Sequence, residues 1–158
     1  MKNTFKRSGA ALISLVLLLV LAVSAGAASS QNVGVKFWKE RSDKESMANS
    51  GIDSDRTATL TRQANGTYTL TLPVMQVSKL GVTGYLSGLT IGDVTYDGTL
   101  TGDFNKATAV LTIKNLPASV LTGSDVNKSV LVTCNFHLNV TVTTEIYTRQ
   151  PCLRVFPD

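Results

Sequence analysis

The sequence has little of what a metalloenzyme or a hydrolase needs. It contains one histidine, His137, which excludes a zinc site built on several imidazoles. It has no G-x-S-x-G sequence, no H-E-x-x-H pair and no glycine-rich phosphate loop. Asp53 and Asp55 are a conceivable pair of carboxylates, but their position in a loop before a strand favours solvated turn residues. We therefore predict that the protein is not an enzyme.

Long apolar runs are also scarce, with one exception at the start of the chain. Three basic residues precede an apolar run over residues 10–23, and Ala25-Gly26-Ala27 matches a signal-peptidase site. This pattern predicts a cleaved signal peptide over residues 1–28. A membrane span needs about 20 apolar residues, and this run is shorter. The alternative is a leader that is not cleaved, and only such a leader would attach the protein to a membrane. No second apolar run follows, so we predict a secreted protein.

An excess of charge is nearly absent once the leader is set aside. The chain has 15 Lys and Arg residues against 11 Asp and Glu residues, a net charge of +4. Three of these cations and none of the acids precede residue 28, so the remaining chain carries +1. A net charge this small does not indicate a basic surface for nucleic acid, so we expect no nucleic-acid partner. Residues 29–158 are enough for one domain with a two-layer core.

Cysteine is scarce as well, since the chain contains only Cys134 and Cys152. In an exported chain such a pair predicts a disulfide, and two buried thiols are the alternative. Direct opposition of the two in an antiparallel hairpin would centre the turn on Thr143. A shifted turn would separate the two Cα atoms beyond the roughly 7 Å that a disulfide allows.

Helical periodicity is missing from residues 29–158, where apolar and polar residues alternate with a period of two. The longest alternation runs over residues 130–142, with His137 among the polar neighbours of its apolar face. Further strands are predicted at residues 33–38, 57–61, 68–72, 86–96, 108–113 and 147–156.

Turn signals separate several of these predicted strands. Asn65-Gly66 and Asp97-Gly98 are predicted turns, and Pro73 is expected to end its strand or to lie on a sheet edge. Many short Thr- and Val-rich strands joined by Gly and Asn turns favour a β-sandwich.

The segment FWKERSDKESMANSGIDSDRTATLTRQANGTYTLTLPV, residues 37–74, resembles the first half of a near-iron-transporter (NEAT) domain. In that family a first strand leads through a polar run to a short S-M-A-like 3₁₀ turn, and two strands joined by a tight turn follow. Residues 77–94, 107–117 and 152–156 are similar to later segments of the family, so the resemblance covers essentially all of residues 29–158. It implies an all-β, immunoglobulin-like antiparallel β-sandwich with a short 3₁₀ turn. It also implies haem binding between that turn and the hairpin of the last two strands.

The resemblance assigns Ser46, Met47 and Ala48 of the S-M-A turn to haem binding. Ser46 offers a hydroxyl, and neighbouring N–H groups of the turn are suited to the anionic propionates. Met47 is flexible and polarizable, which suits a side chain lying against a porphyrin face. The alternative for Met47 is that it plugs the open end of the sandwich.

The last strand of the family carries a Y-x-x-x-Y motif, whose first Tyr binds ferric iron and whose second Tyr supports the first. Tyr147 takes the first place here and is the expected iron ligand. Pro151 stands in the second place, where it offers no hydrogen bond. His137 is the other conceivable ligand, although its position on the polar face favours a solvent-exposed side chain.

The resemblance implies an extracellular haem carrier for iron acquisition, at a Gram-positive-type cell envelope. Its expected partners are haem, haemoproteins and another haem-relay protein. The alternative is an interaction module of the same fold that lacks haem and binds a host or cell-surface protein, a reading that Pro151 favours. A third reading is a carbohydrate-binding sandwich, for which Trp38, Tyr85 and Tyr96 are the candidate aromatic platforms.

Overall fold

The computed structural model describes residues 28–39, 44–79, 81–121 and 130–139, and the backbone of residues 151–157. The predicted leader, apart from residue 28, lies outside these residues. The strands are β1 (Ser30–Lys39), β2 (Ala58–Arg62), β3 (Tyr68–Pro73), β4 (Val77–Lys79), β5 (Val82–Ile91), β6 (Val94–Thr101), β7 (Val110–Leu116), β8 (Val130–Asn139) and β9 (Pro151–Pro157). Three 3₁₀ helices lie between them: η1 (Met47–Gly51), η2 (Phe104–Lys106) and η3 (Ala118–Val120). Within the described ranges no helix has the length and apolarity to cross a bilayer.

The strands join into one curled antiparallel sheet in the order β4-β5-β6-β7-β3-β2-β1-β9-β8. Because β8 also pairs with β5, the sheet closes on itself as two layers. One layer contains β4, β5 and β8, and the other contains β7, β3, β2, β1 and β9. The predicted all-β, immunoglobulin-like antiparallel sandwich with its short 3₁₀ turn is confirmed.

Strand β6 makes one corner of this sandwich, because it passes from one layer to the other. Its first half pairs with β5 up to Asp97, and its second half pairs with β7 from Gly98 onward. A β-carbon at Gly98 would lie 2.5 Å from Cδ1 of Leu111, so glycine leaves room for that buried side chain where β6 joins β7. The predicted turn at Asp97-Gly98 and the single strand over residues 86–96 were therefore wrong. The chain turns earlier, at Gly92, whose φ of 58° suits glycine.

Other sequence signals are confirmed by the structure. Gly66 has a φ of 81° in the hairpin between β2 and β3, and Pro73 is the last residue of β3. The alternating apolar residues of β1, β2, β3, β7 and β8 supply most of the core between the two layers. Its largest fully buried side chains are Phe37, Leu60, Leu70, Leu72, Leu86, Leu89, Leu111, Ile113, Leu116, Val33 and Val74.

Cys134 belongs to this core as a free thiol, so the predicted disulfide with Cys152 is wrong. The register pairs Cys152 with Leu131, three residues away from Cys134 along β8. Three residues of strand span about 10 Å, beyond the reach of a disulfide. Burial raises the pKa of the Cys134 thiol well above its usual value.

Asp53 also differs from the prediction, because it is buried rather than solvated. Nε of Arg56 donates to its Oδ2 over 2.7 Å, and the same guanidinium donates to the Ala109 carbonyl. This part-buried pair ties the chain that enters β2 to the residue before β7. Asp55 is exposed, as predicted for a turn residue.

Candidate functional site

The helix η1 follows directly from the S-M-A sequence. Ser46 is its N-cap, and Oγ of Ser46 accepts the Ala48 N–H over 3.2 Å. The Ser46 carbonyl accepts the Asn49 N–H over 3.2 Å. Two N–H groups of the turn are therefore engaged inside it, whereas the hydroxyl hydrogen of Ser46 is not used by these bonds.

Asn49 holds η1 against β1. Its Oδ1 accepts the Phe37 N–H over 2.8 Å, and its Nδ2 donates to the Phe37 carbonyl over 2.7 Å. The amide thus pairs with Phe37 in the way that a neighbouring strand would. Because Phe37 is fully buried, this pairing fixes the turn to the core.

The surface beneath η1 is the inner face of β8. After half-buried Val130 the face contains Val132 and Cys134, which are buried, and it continues with Phe136 and Leu138, which are only half-buried. A β-carbon at Gly51 of η1 would lie 3.5 Å from Cε1 of Phe136. The turn therefore lies directly over the part of β8 where burial decreases.

Two neighbouring strands extend this surface. Gly51 also lies close to Val77 of β4, since its β-carbon would be 3.6 Å from Cγ2 of that valine. On β5, Gly84 is the partner of Leu138, and a β-carbon there would lie 2.7 Å from Cδ2 of Leu138. The missing side chain lets Leu138 lie flat over β5. We call the region formed by Met47, Val77, Phe136 and Leu138 the rim site.

Met47 and Lys79 border the rim site. Met47 is 50 % exposed, which favours a side chain that lines the site over one that plugs the interior. Nζ of Lys79, at the end of β4, lies 3.5 Å from Sδ of Met47. An apolar, partly exposed surface is thus edged by a thioether, an ammonium group and the hydroxyl of Ser46.

The structure brings the residues of the predicted turn together in different environments. Ser46 is half-buried, Met47 is exposed, and Ala48 is 7 % exposed and packs into the core beneath η1. Tyr147, the predicted iron ligand, lies outside the described residues. His137 is exposed on the other face of β8, with its ring centroid 5.1 Å from that of Tyr85. His137 therefore lies outside the rim site and faces away from it.

The candidate aromatic platforms of the carbohydrate reading are not open surfaces. Tyr85 contacts Phe104 as well as His137, at a centroid distance of 5.4 Å from the former. Tyr96 packs against the core, and the ammonium of Lys36 lies 4.9 Å from the centre of the Trp38 ring. These contacts do not favour stacking of a sugar.

Sequence reasoning missed three residues of this arrangement. Asn49 and Lys79 gave no signal, because their partners are set by contacts between distant segments. Phe136 stood in the alternating face of β8, but alternation alone does not show where that face becomes exposed.

Two solved structures resemble the chain in fold. A mutant of the NEAT5 domain of IsdX2 in complex with haem is 11 % identical, with a TM-score of 0.51 over 84 % of this chain and 98 % of the other. The NEAT5 domain of IsdX2, a B. anthracis hemophore in complex with haem, is 10 % identical, with a TM-score of 0.48 over 83 % and 98 % of the two chains. No family model and no curated protein sequence matches the chain. The similarity to the first of these structures, whose TM-score is 0.51, confirms the NEAT-like fold that the S-M-A segment predicted.

Proposed function

We propose that this chain is a secreted haem-binding protein that carries haem outside the cell for iron acquisition. The rim site is the observation that carries the proposal. Haem is a flat apolar plate with two anionic propionates, so its binder needs an apolar surface flanked by polar donors. Half-buried Phe136 and Leu138 beneath an S-M-A turn meet the first need, and the hydroxyl of Ser46 at the N-cap of that turn supplies a donor for the second. A protein of similar fold, the mutant NEAT5 domain of IsdX2, is in complex with haem.

Each predicted haem-binding residue has a distinct role in this proposal. Ser46 donates its hydroxyl hydrogen to a propionate, and Met47 lies against the porphyrin face. Ala48 seats the turn in the core, which fixes the other two. Tyr147 would hold the iron through its phenolic oxygen; an unassisted phenol has a pKa near 10, and the positive charge of ferric haem would favour its deprotonated form.

A hemin titration tests the proposal. Purified protein is mixed with increasing hemin, unbound hemin is removed by gel filtration, and the Soret band of the protein fraction is measured. We expect saturation at one hemin per chain. A folded protein, judged by its far-ultraviolet circular dichroism, that retains no Soret band would rule out the carrier function.

The ligand assignment has its own test. Tyr147→Phe keeps the ring and removes the oxygen, so it should shift the Soret band and accelerate transfer of haem to apomyoglobin. Tyr68→Phe, the same change at a half-buried tyrosine of β3, is the matched control and should leave the spectrum unchanged. An unchanged spectrum for Tyr147→Phe would remove this residue as the ligand while leaving haem binding intact.

The second candidate function is an interaction module of the same fold without haem. Pro151 favours it, because this residue begins β9 opposite Lys39 and replaces the tyrosine that supports the iron ligand in the family. The module would bind a host or cell-surface protein. The hemin titration separates the two functions, because only the carrier retains the chromophore. In the carrier function, the expected exchange partners are haemoproteins or another haem-relay protein.

A further inference from the structure

We propose that Lys79 is the carboxylate-binding residue of the rim site and selects ligands with an anionic edge. The inference rests on the proposed function and adds a residue that the S-M-A and Y-x-x-x-Y patterns do not contain. It assigns to β4, a strand of three residues, the task of orienting the ligand.

The strand register places Lys79 on the correct face. Lys79 pairs with Val82, and two residues earlier Val77 pairs with Gly84, which in turn pairs with Leu138. Directly paired residues share a face, and so do residues two apart. Lys79 therefore shares the face of Val77 and Leu138, the face that η1 covers.

The contact with Met47 places the ammonium of Lys79 at the edge of the site. Nζ lies 3.5 Å from a thioether sulfur, which is a weak acceptor and carries no charge. The ion pairs of the described residues are Lys36–Glu45 and Arg56–Asp53, and neither includes Lys79. An exposed ammonium on a weak acceptor keeps its capacity to bind a carboxylate.

The turn itself offers few free hydrogen-bond donors to a propionate, so the ammonium of Lys79 matters for binding that group. The N–H groups of Ala48 and Asn49 are engaged by Ser46, so they do not offer an anion the concavity that the sequence suggested. The hydroxyl of Ser46 alone would leave the charge of a propionate uncompensated. A cation beside Met47 compensates that charge without entering the apolar surface.

The experiment compares hemin with hemin dimethyl ester, in which both propionates are uncharged. Lys79→Gln should weaken hemin binding about fivefold, as expected for an exposed ion pair, and leave binding of the ester unchanged. Lys79→Arg should retain most of the affinity. Lys114→Gln changes an exposed lysine on β7 and is the matched control.

Each outcome decides a different point. Equal weakening of hemin and its ester by Lys79→Gln would overturn the inference while leaving haem binding intact. The inference is also overturned if Lys79→Gln changes hemin affinity no more than Lys114→Gln does. Failure of the unaltered protein to bind either porphyrin would overturn the proposed function, and this inference with it.

Discussion

The two halves of the inner face of β8 differ in a way that defines the site. Val132 and Cys134, the sealed half, are 1 % and 3 % exposed and belong to the core that both layers share. Phe136 and Leu138, the open half, lie on the same face of the same strand and are only half-buried. Both halves pair with β5, so their own sheet does not explain the difference.

The difference in burial between the two halves comes from what covers each of them. The sealed half faces the packed side chains of the opposite layer, whereas the open half lies beneath the five-residue helix η1. A short turn cannot exclude solvent from a strand face as a full sheet does. One strand thus supplies stability at one end and an accessible apolar surface at the other.

Loss of the link between η1 and β1 should have the largest effect. Asn49→Ala removes both hydrogen bonds to the Phe37 backbone, which should lower the free energy of unfolding by about 3 kcal/mol. Hemin should be retained poorly, because the turn is no longer fixed over Phe136. Urea denaturation and the Soret band of the gel-filtered complex measure the two effects. Asn105→Ala, in the exposed helix η2, is the control and should change neither.

Matched truncations on β8 should separate its two halves. Val132→Ala should lower the free energy of unfolding by about 2 kcal/mol and leave hemin binding unchanged, because that side chain is sealed. Leu138→Ala should cost about 1 kcal/mol or less and accelerate hemin loss about tenfold. Equal effects of the two variants on hemin loss would contradict the division of the face.

The sealed half should also respond to pH through Cys134. Burial raises the pKa of this thiol above its ordinary value of 9.0, so above that pH the unfolded chain releases a proton that the folded chain keeps. Stability should therefore fall as the pH rises past 9, by up to about 1.4 kcal/mol per pH unit from this group. Cys134→Ala should flatten that part of the profile; equal slopes for both proteins would show that the thiol is accessible.

The smallest change in stability is expected at the edge of the open half. Met47→Ala truncates a side chain that is 50 % exposed, so the free energy of unfolding should change by about 0.5 kcal/mol or less. Haem loss, followed by transfer to apomyoglobin, should still accelerate severalfold. Val94→Ala, which alters a 53 % exposed residue at the start of β6, opposite the far end of β5, should leave both quantities unchanged. A large destabilisation by Met47→Ala would favour the plug interpretation.

Local patterns predicted much of the fold. Alternation marked β1, β2, β3, β7 and β8, and the S-M-A segment marked η1. The chain between β5 and β6 was misjudged because Gly92 and Gly98 look alike in sequence. One has a positive φ in a turn, and the other lacks a side chain where β6 crosses to the second layer.

The site was less predictable for a physical reason. Asn49 acts through the backbone of Phe37, twelve residues earlier, and Lys79 acts through the register of β4 on β5. Neither relation leaves a periodic trace in the chain. The exposure of Phe136 depends on what covers it, which only the assembled sandwich shows.

Mapping bound hemin by nuclear magnetic resonance tests the central claim most directly. Ferric hemin broadens the amide signals of nearby residues, so a titration of labelled protein reports where the ligand lies. We expect signals of Met47, Phe136 and Leu138 to broaden, while those of Val132 and Asn65 keep their intensity. Broadening centred on Asn65, or a Soret band without broadening at Met47 and Phe136, would contradict a haem site at the rim.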